Sequence, residues 1–312
     1  MTTSEKIIEY LQDRVEKPRI LLTPYKRDMW DSLESIYKTA REKGLSVDVM
    51  PLPYTYKDRY GQFTEWIMDD WSGIDTIEPR LPKKGEYDVI MFHNPYDHCN
   101  RVTSIKPDYY TENFVGLGLL CLVPYGYGVT GYIRPGILNA DIVFSENEMA
   151  VESILEDGRR AGFNEEQIAE FRKRFVVVGS TKCELDLNQT IPKEWKITGR
   201  RVILFATSLV PLLSNPPEEL RKYEEILKEL TEQDQVVIWR AHPLTSGTIR
   251  AMIPQYEYLY NVIRREFESK DNAIIDNTND YRKAFSVADV LYSVPSSLIP
   301  VWKQTGKEIH VI

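Results

Sequence analysis

Arg240 and His242 follow the run Gln235-Val236-Val237-Ile238-Trp239, a short apolar and β-branched stretch that reads as a buried strand, and Pro243 stops it. An arginine is a permanent cation with a planar fork of donors. A histidine, with an ordinary pKa of about 6.5, can donate or relay a proton. The pattern recurs further on, where Ala288-Asp289-Val290-Leu291-Tyr292 reads as a strand and Ser293-Val294-Pro295-Ser296-Ser297 as the turn into a helix. Two hydroxyls, Ser296 and Ser297, at a helix amino terminus beside free backbone N–H groups make a seat for phosphate. Ligands of open α/β sheets bind at the carboxyl ends of strands. An arginine, a histidine and a serine pair placed there point to a phosphorylated, nucleotide-linked ligand.

The elements that must position these residues form a repeating β-loop-α pattern. Residues 4–15 read as a short amphipathic helix, with Ile7, Ile8, Leu11 and Val15 on one side. Arg19–Thr23 is the first buried strand, Asp28 is placed to cap a helix from Met29 to Lys43, and Leu45–Met50 is the next strand. Residues 51–87 break the pattern. Pro51, Pro53, Tyr54, Tyr56, Tyr60, Phe63, Trp66 and Trp71 crowd a stretch without a clear period, read as an ordered aromatic excursion, and Asp69-Asp70 reads as an exposed acidic pair rather than a metal pair. Asp88–Phe92 is a strand that delivers His93-Asn94-Pro95-Tyr96-Asp97-His98 to its carboxyl end. Strands at 119–123 and 141–145 follow, then helices over 147–157 and 165–174 and a strand at 175–178.

Two glycine-containing turns invite comparison with phosphate loops and fail it. Pro124-Tyr125-Gly126-Tyr127-Gly128 lacks the GxGxxG continuation, and Gly179-Ser180-Thr181-Lys182 lacks Walker spacing. Residues 185–199, polar and carrying Pro192 and Gly199, read as the linker to a second α/β unit. That unit opens with strand Arg201–Phe205 and exit loop Ala206-Thr207-Ser208. A helix begins at Asn215-Pro216-Pro217, with Leu220, Tyr223, Leu227 and Leu230 on one face, and another covers about 279–287.

Composition narrows the class. With 42% hydrophobic and 28% charged residues, the 312-residue chain has material for real cores, and a net charge of −8 argues against a general nucleic-acid binder. The absence of a long apolar run and the polar start Met1–Lys6 predict neither a membrane span nor a signal peptide. Cys99, Cys121 and Cys183, odd in number and without CxxC spacing, read as reduced thiols of a cytoplasmic protein. The expected architecture is α/β: two Rossmann-like domains facing a cleft, like the type B glycosyltransferase fold. Residues 1–190 form the first domain and 191–312 the second.

Several segments resemble the CDP-glycerol glycerophosphotransferase family, the enzymes that prime or polymerise teichoic acids. They are Leu22-Thr23-Pro24-Tyr25-Lys26-Arg27-Asp28 and its continuation to Ser35, Phe92-His93-Asn94-Pro95-Tyr96-Asp97, Gly179-Ser180-Thr181-Lys182, Trp239-Arg240-Ala241-His242-Pro243-Leu244, Ala288–Leu291 with Ser296-Ser297, and Thr305-Gly306-Lys307. The resemblance runs in order from residue 19 to the end. It implies transfer of a polyol phosphate from a CDP-activated donor to a hydroxyl of a cell-envelope glycan or lipid-linked acceptor. It also implies that no metal or cofactor is required. Carried over by position, Arg240 and His242 lie near the donor pyrophosphate, Ser296 and Ser297 on phosphate, and Thr207 and Ser208 in the polar turn after the first strand of the donor domain.

Where the family has an acid shortly before the serine pair, this chain has Val294-Pro295. Where better-known polymerases have a Trp-His-Gly-Thr-type segment, it has Pro124-Tyr125-Gly126-Tyr127. On this reading His93 is the candidate general base, with His98 as its substitute, and His242 donates to the leaving phosphate. A lipid-linked acceptor would bring the protein to the inner membrane leaflet, although no basic amphipathic stretch supplies an anchor. Two alternatives stand beside it: a nucleotide-sugar glycosyltransferase or epimerase on the same fold, and a non-catalytic binding subunit.

Overall fold

The computed structural model describes residues 1–126, 132–197 and 199–312. They divide into two compact units, Met1–Tyr56 with Phe63–Glu184 and Lys57–Gln62 with Leu185–Ile312. Unit 1 contains strands β1 (Ile20–Thr23), β2 (Val47–Val49), β3 (Tyr54–Tyr56), β4 (Val89–Phe92), β5 (Thr103–Ile105), β6 (Leu119–Leu122), β7 (Ile142–Ser145) and β8 (Phe175–Val177). Its helices are α1 (Thr3–Gln12), α2 (Asp31–Glu42), α3 (Pro135–Asn139), α4 (Glu148–Arg160) and α5 (Glu165–Arg172).

Six strands form one parallel sheet in the order β2-β1-β4-β6-β7-β8, while β3 pairs antiparallel with β5 apart from it. A parallel sheet is covered on both faces, which is why β1 and β4 read as unbroken apolar runs and are buried at every position. The order reverses between β1 and β4, so the carboxyl ends of those strands form a topological switch point.

Local sequence explains most helix starts. Thr2 and Glu5 make a reciprocal capping box for α1, Asn164 and Gln167 make one for α5, and Asn147 accepts from the Ala150 N–H at the head of α4. The start of α2 differs from expectation. A 3-10 turn over Arg27–Met29 precedes it, Trp30 occupies the cap position, and Asp28 instead pairs with Lys26 at 3.3 Å. Of the aromatic excursion, Tyr54 and Trp71 are buried, Trp71 edge-on to Trp30, while Tyr60, Phe63 and Trp66 are exposed. Asp69 accepts from the Tyr54 hydroxyl at 2.6 Å and the Arg27 amide at 2.7 Å, so it braces the β1 exit loop.

Unit 2 contains β9 (Arg201–Ala206), β10 (Gln235–Arg240), β11 (Ala273–Ile275), β12 (Val290–Ser293) and β13 (Glu308–Val311), all parallel, in the order β11-β10-β9-β12-β13. Its helices are α6 (Leu209–Ser214), α7 (Pro216–Thr231), α8 (Thr245–Met252), α9 (Glu257–Glu268), α10 (Arg282–Val287) and α11 (Leu298–Lys303). Here the order reverses between β9 and β12. The stretch read as a linker is no free tether. Trp195 is buried in one apolar cluster with Leu204, Ile238 and Trp302, and Leu185, Leu187, Ile191 and Ile197 pack against that cluster, because a few large apolar side chains among polar neighbours suffice to dock a strap on the sheet. No described helix is long and apolar enough to cross a membrane.

Candidate functional site

In unit 2 the register aligns Arg240 with Ala206 and Ala206 with Ser293, so three neighbouring strands end on one row. Arg240 stands on this row at the end of β10, and the loops that leave it carry the other five residues singled out in this half of the chain, beside the β9/β12 switch point. Ser208 donates to the Pro295 carbonyl at 3.0 Å and ties the two switch-point loops together. Ser296 shares a hydroxyl contact with Ser293 at 3.1 Å, and Ser297 is exposed. The serine pair precedes a helix of only six residues, α11, with Ser297 making no side-chain cap. The expected phosphate seat therefore rests on the hydroxyls and the loop, not on a long helix.

His242 is half-buried, and its Nδ1 accepts the Leu244 N–H at 3.1 Å. That bond goes with the tautomer that carries its proton on Nε2. Arg240 departs from expectation. It is only 5% exposed, and its Nη1 donates to Asp276 Oδ2 at 2.6 Å and to the Thr278 carbonyl at 3.1 Å. Its charge is thus fixed in a buried ion pair, and its part at the site is to hold the strand end rather than to offer a free fork. Thr207 is likewise buried: its amide donates to the Arg240 carbonyl, and its hydroxyl receives the Trp239 indole N–H at 3.5 Å. Ser208, His242 and Ser296 are half-buried and Ser297 is exposed.

Sequence reasoning missed Asp276. Its position follows from the β10–β11 register, which sets Trp239 beside Ile275 and so Arg240 beside Asp276. The signal was the short run Ala273-Ile274-Ile275 ending on an acid.

In unit 1 the switch point is closed. His93 is fully buried: its Nε2 accepts the Tyr25 N–H at 3.2 Å, and its Nδ1 lies 3.1 Å from the Met29 carbonyl and 3.0 Å from the Ser32 hydroxyl. Only the neutral ring, protonated on Nδ1, fits both contacts, because a proton on Nε2 would face the Tyr25 amide head on. Burial pushes the imidazole pKa down to about 3, the bond to Met29 opposing and the Lys182 charge adding to the fall. This corrects the reading of His93 as a general base. The ring plugs the β1/β4 crevice and has no nitrogen left for a reactant. His98 is exposed on the same loop, against Tyr110.

The rest of that loop is firmly held. Asn94 accepts from the Tyr96 amide, and Asp97, in left-handed backbone at φ 47°, accepts from the Thr111 amide and hydroxyl. The Gly-Ser-Thr-Lys segment proves to be a brace. Thr181 donates to the Ser32 carbonyl at 2.7 Å, and Lys182 pairs with Asp31 at 2.8 Å. Gly179 sits at φ +103°, and a Cβ there would meet the Thr3 hydroxyl at 2.7 Å. Beside the plugged crevice lies a cavity of about 380 Å³ whose wall includes Tyr96, Tyr125, Arg134, Glu146 and Ser180. Tyr127 and Gly128, expected in a tight turn here, lie outside the described residues. Among the described residues no cluster of His, Cys, Asp or Glu is arranged to hold a metal ion.

No protein-family model matches the chain, and no curated protein sequence does. Solved structures match in fold. The S. aureus MnaA–UDP co-structure aligns with 94% of this chain and 79% of its own, at a TM-score of 0.55 and 14% identity. A variant of the wall teichoic acid polymerase TagF aligns over 94% and 69% at 0.54 and 12%. A putative UDP-N-acetylglucosamine 2-epimerase from Listeria monocytogenes aligns over 94% and 78% at 0.52 and 12%. The chain therefore has the fold of the type B glycosyltransferase-like proteins, with two parallel-sheet α/β domains.

Proposed function

We propose that the protein transfers a polyol phosphate, glycerol phosphate foremost, from a CDP-activated donor to a hydroxyl of a cell-envelope glycan or lipid-linked acceptor and releases CMP. The observation that carries this reading is the placement of Ser208, His242, Ser296 and Ser297, none of them buried, on the loops that leave the carboxyl ends of the neighbouring strands β9, β10 and β12. They coincide with the segments through which the sequence resembles that family. The fold shared with TagF supports the same reading.

The acceptor oxygen attacks the β-phosphorus of the donor in line and forms a new P–O bond. The bond from that phosphorus to the bridging oxygen breaks, and its electron pair leaves with CMP. Charge spreads over phosphoryl oxygens in such a transition state, so positioned donors do most of the work and little is asked of a base. His242 donates from Nε2 to the leaving phosphate, and the serine hydroxyls hold the donor's phosphates. The proton of the attacking hydroxyl passes to water.

A nucleotide-sugar epimerase is the second reading, favoured by equal likeness to MnaA solved with UDP and to the Listeria protein. The discriminating experiment incubates the chain with CDP-glycerol and glycan acceptors and follows CMP, and in parallel with UDP-N-acetylglucosamine and follows its 2-epimer. Acceptor-dependent CMP, cut at least about tenfold in Ser297→Ala and His242→Ala, is the result expected when a charge-assisted hydrogen bond to phosphate is lost. Epimer without CMP overturns the proposal in favour of the second reading.

A further inference from the structure

The unit 1 cavity is built for a ligand that none of the donor chemistry explains. It opens at the carboxyl ends of β4, β6 and β7, and its volume of about 380 Å³ lies in the range of small-ligand sites, about 300–1,000 Å³. Its wall is mostly apolar and aromatic. Tyr96 and Tyr125 stand with ring centroids 6.4 Å apart and planes at 54°, forming an aromatic corner.

Arg134 lies in the same wall. Its guanidinium carbon sits 5.5 Å from the Tyr96 ring centroid and 5.1 Å from that of Tyr132, which keeps the cation in place without neutralising it. Its Nε is buried and has no hydrogen-bond partner among the described residues. A buried charged donor left without an acceptor is costly, and a native structure rarely leaves one without a reason.

The scaffold around Arg134 is rigid. Asp157 accepts from the Ile133 amide at 2.7 Å on one side. On the other the Gly136 amide donates to the Pro95 carbonyl at 2.9 Å, an approach so close that a Cβ would lie 2.8 Å from the Pro95 Cα. Glu146, Ser145 and Ser180 also line the cavity, the Ser145 hydroxyl donating to the Asn147 carbonyl at 3.2 Å. A carboxylate in the wall disfavours a bare anion but accepts from sugar hydroxyls, while tyrosine rings pack on the C–H face of a sugar.

We propose that this cavity binds a sugar ring carrying an acidic group. The acid pairs with Arg134, the hydroxyls meet Glu146 and the serines, and the ring packs on Tyr96 and Tyr125. The site rests on the proposed transferase only in that it would make this ligand the acceptor.

The test is an equilibrium titration of the full chain, by saturation-transfer NMR, with glucose 1-phosphate, glucuronate, methyl glucoside and inorganic phosphate. Glucose 1-phosphate or glucuronate is expected to bind at least about tenfold more tightly than methyl glucoside, as charge-assisted bonds require, and whichever is stronger identifies the acid as phosphate or carboxylate. Inorganic phosphate is expected to bind at least about tenfold more weakly than the favoured sugar acid, since it lacks the ring contacts. Arg134→Met is expected to weaken the sugar acid about tenfold or more, Arg134→Lys to restore part of it, and Tyr96→Ala to weaken both acidic and neutral sugars.

Unchanged binding in Arg134→Met overturns the inference, as does inorganic phosphate binding as tightly as its sugar ester. CDP-glycerol affinity serves as the separate control. Arg134-dependent sugar-acid binding without CDP-glycerol binding leaves this site standing and removes the transferase, whereas the reverse pattern removes this site alone.

Discussion

His93 gives a sharp quantitative test of how unit 1 is built. The native ring stays neutral down to a pKa of about 3, against 6.5 for an unperturbed histidine. Between those values the unfolded chain binds a proton that the folded chain refuses, so stability rises with pH across the window. The contribution is fully present above about pH 6.5 and is lost as pH falls toward about 3. The slope is about 1.4 kcal/mol per pH unit inside the window, which amounts to about 2 kcal/mol lost between pH 7 and pH 5.

The perturbation is His93→Gln, whose amide can still accept from Tyr25 and cannot titrate. The assay is native-state hydrogen exchange of the β1 and β4 amides at the two pH values, which reads the opening of unit 1 itself. Wild type is expected to lose about 2 kcal/mol more than the variant on acidification. Asp97, whose carboxyl burial pushes up, acts in the opposite sense but is common to both proteins and cancels in the difference. Parallel pH dependences in wild type and variant would refute the buried, neutral ring and return His93 to the list of candidate bases.

Further expectations follow from single contacts. Asp276→Ala leaves the buried Arg240 cation unpaired and should destabilise unit 2 by about 3–5 kcal/mol in urea unfolding. Gly136→Ala drives a methyl into Pro95 and Phe92 and should cost about 1–3 kcal/mol, read as a lowered unfolding midpoint. Val294→Asp, which restores an acid near the serine pair, places it at a fully buried position in an apolar cluster. It should lower stability by several kcal/mol without raising CMP release.

What could be read from sequence was local. Continuous apolar runs such as Val236–Trp239 and Val89–Phe92 declared themselves as buried parallel strands, and the residues just after them fell at the carboxyl edge, as the sheets show. The candidate positions in unit 2 were therefore legible as neighbours at one sheet edge. What they touch was not. Arg240 meets its partner through β11, three residues long and too short to register, and α8 and α9 passed unread although Tyr260, Ile263 and Phe267 repeat at helical spacing. Whether His93 faced solvent or a lid depended on Tyr25 and Met29, more than sixty residues away in the chain. Residue type alone carries no trace of such a contact. The docking of the segment at 185–197 was hidden for the opposite reason: its polar majority masked the few apolar anchors that hold it.

The most direct test of the proposed function is a calorimetric titration of the purified chain with CDP-glycerol, CMP, UDP and GDP, repeated on Ser297→Ala and His242→Ala. Cytidine-selective binding is expected, with CDP-glycerol weakened about tenfold or more by each substitution. Binding of UDP in preference to the cytidine nucleotides, or cytidine binding indifferent to both substitutions, would contradict it.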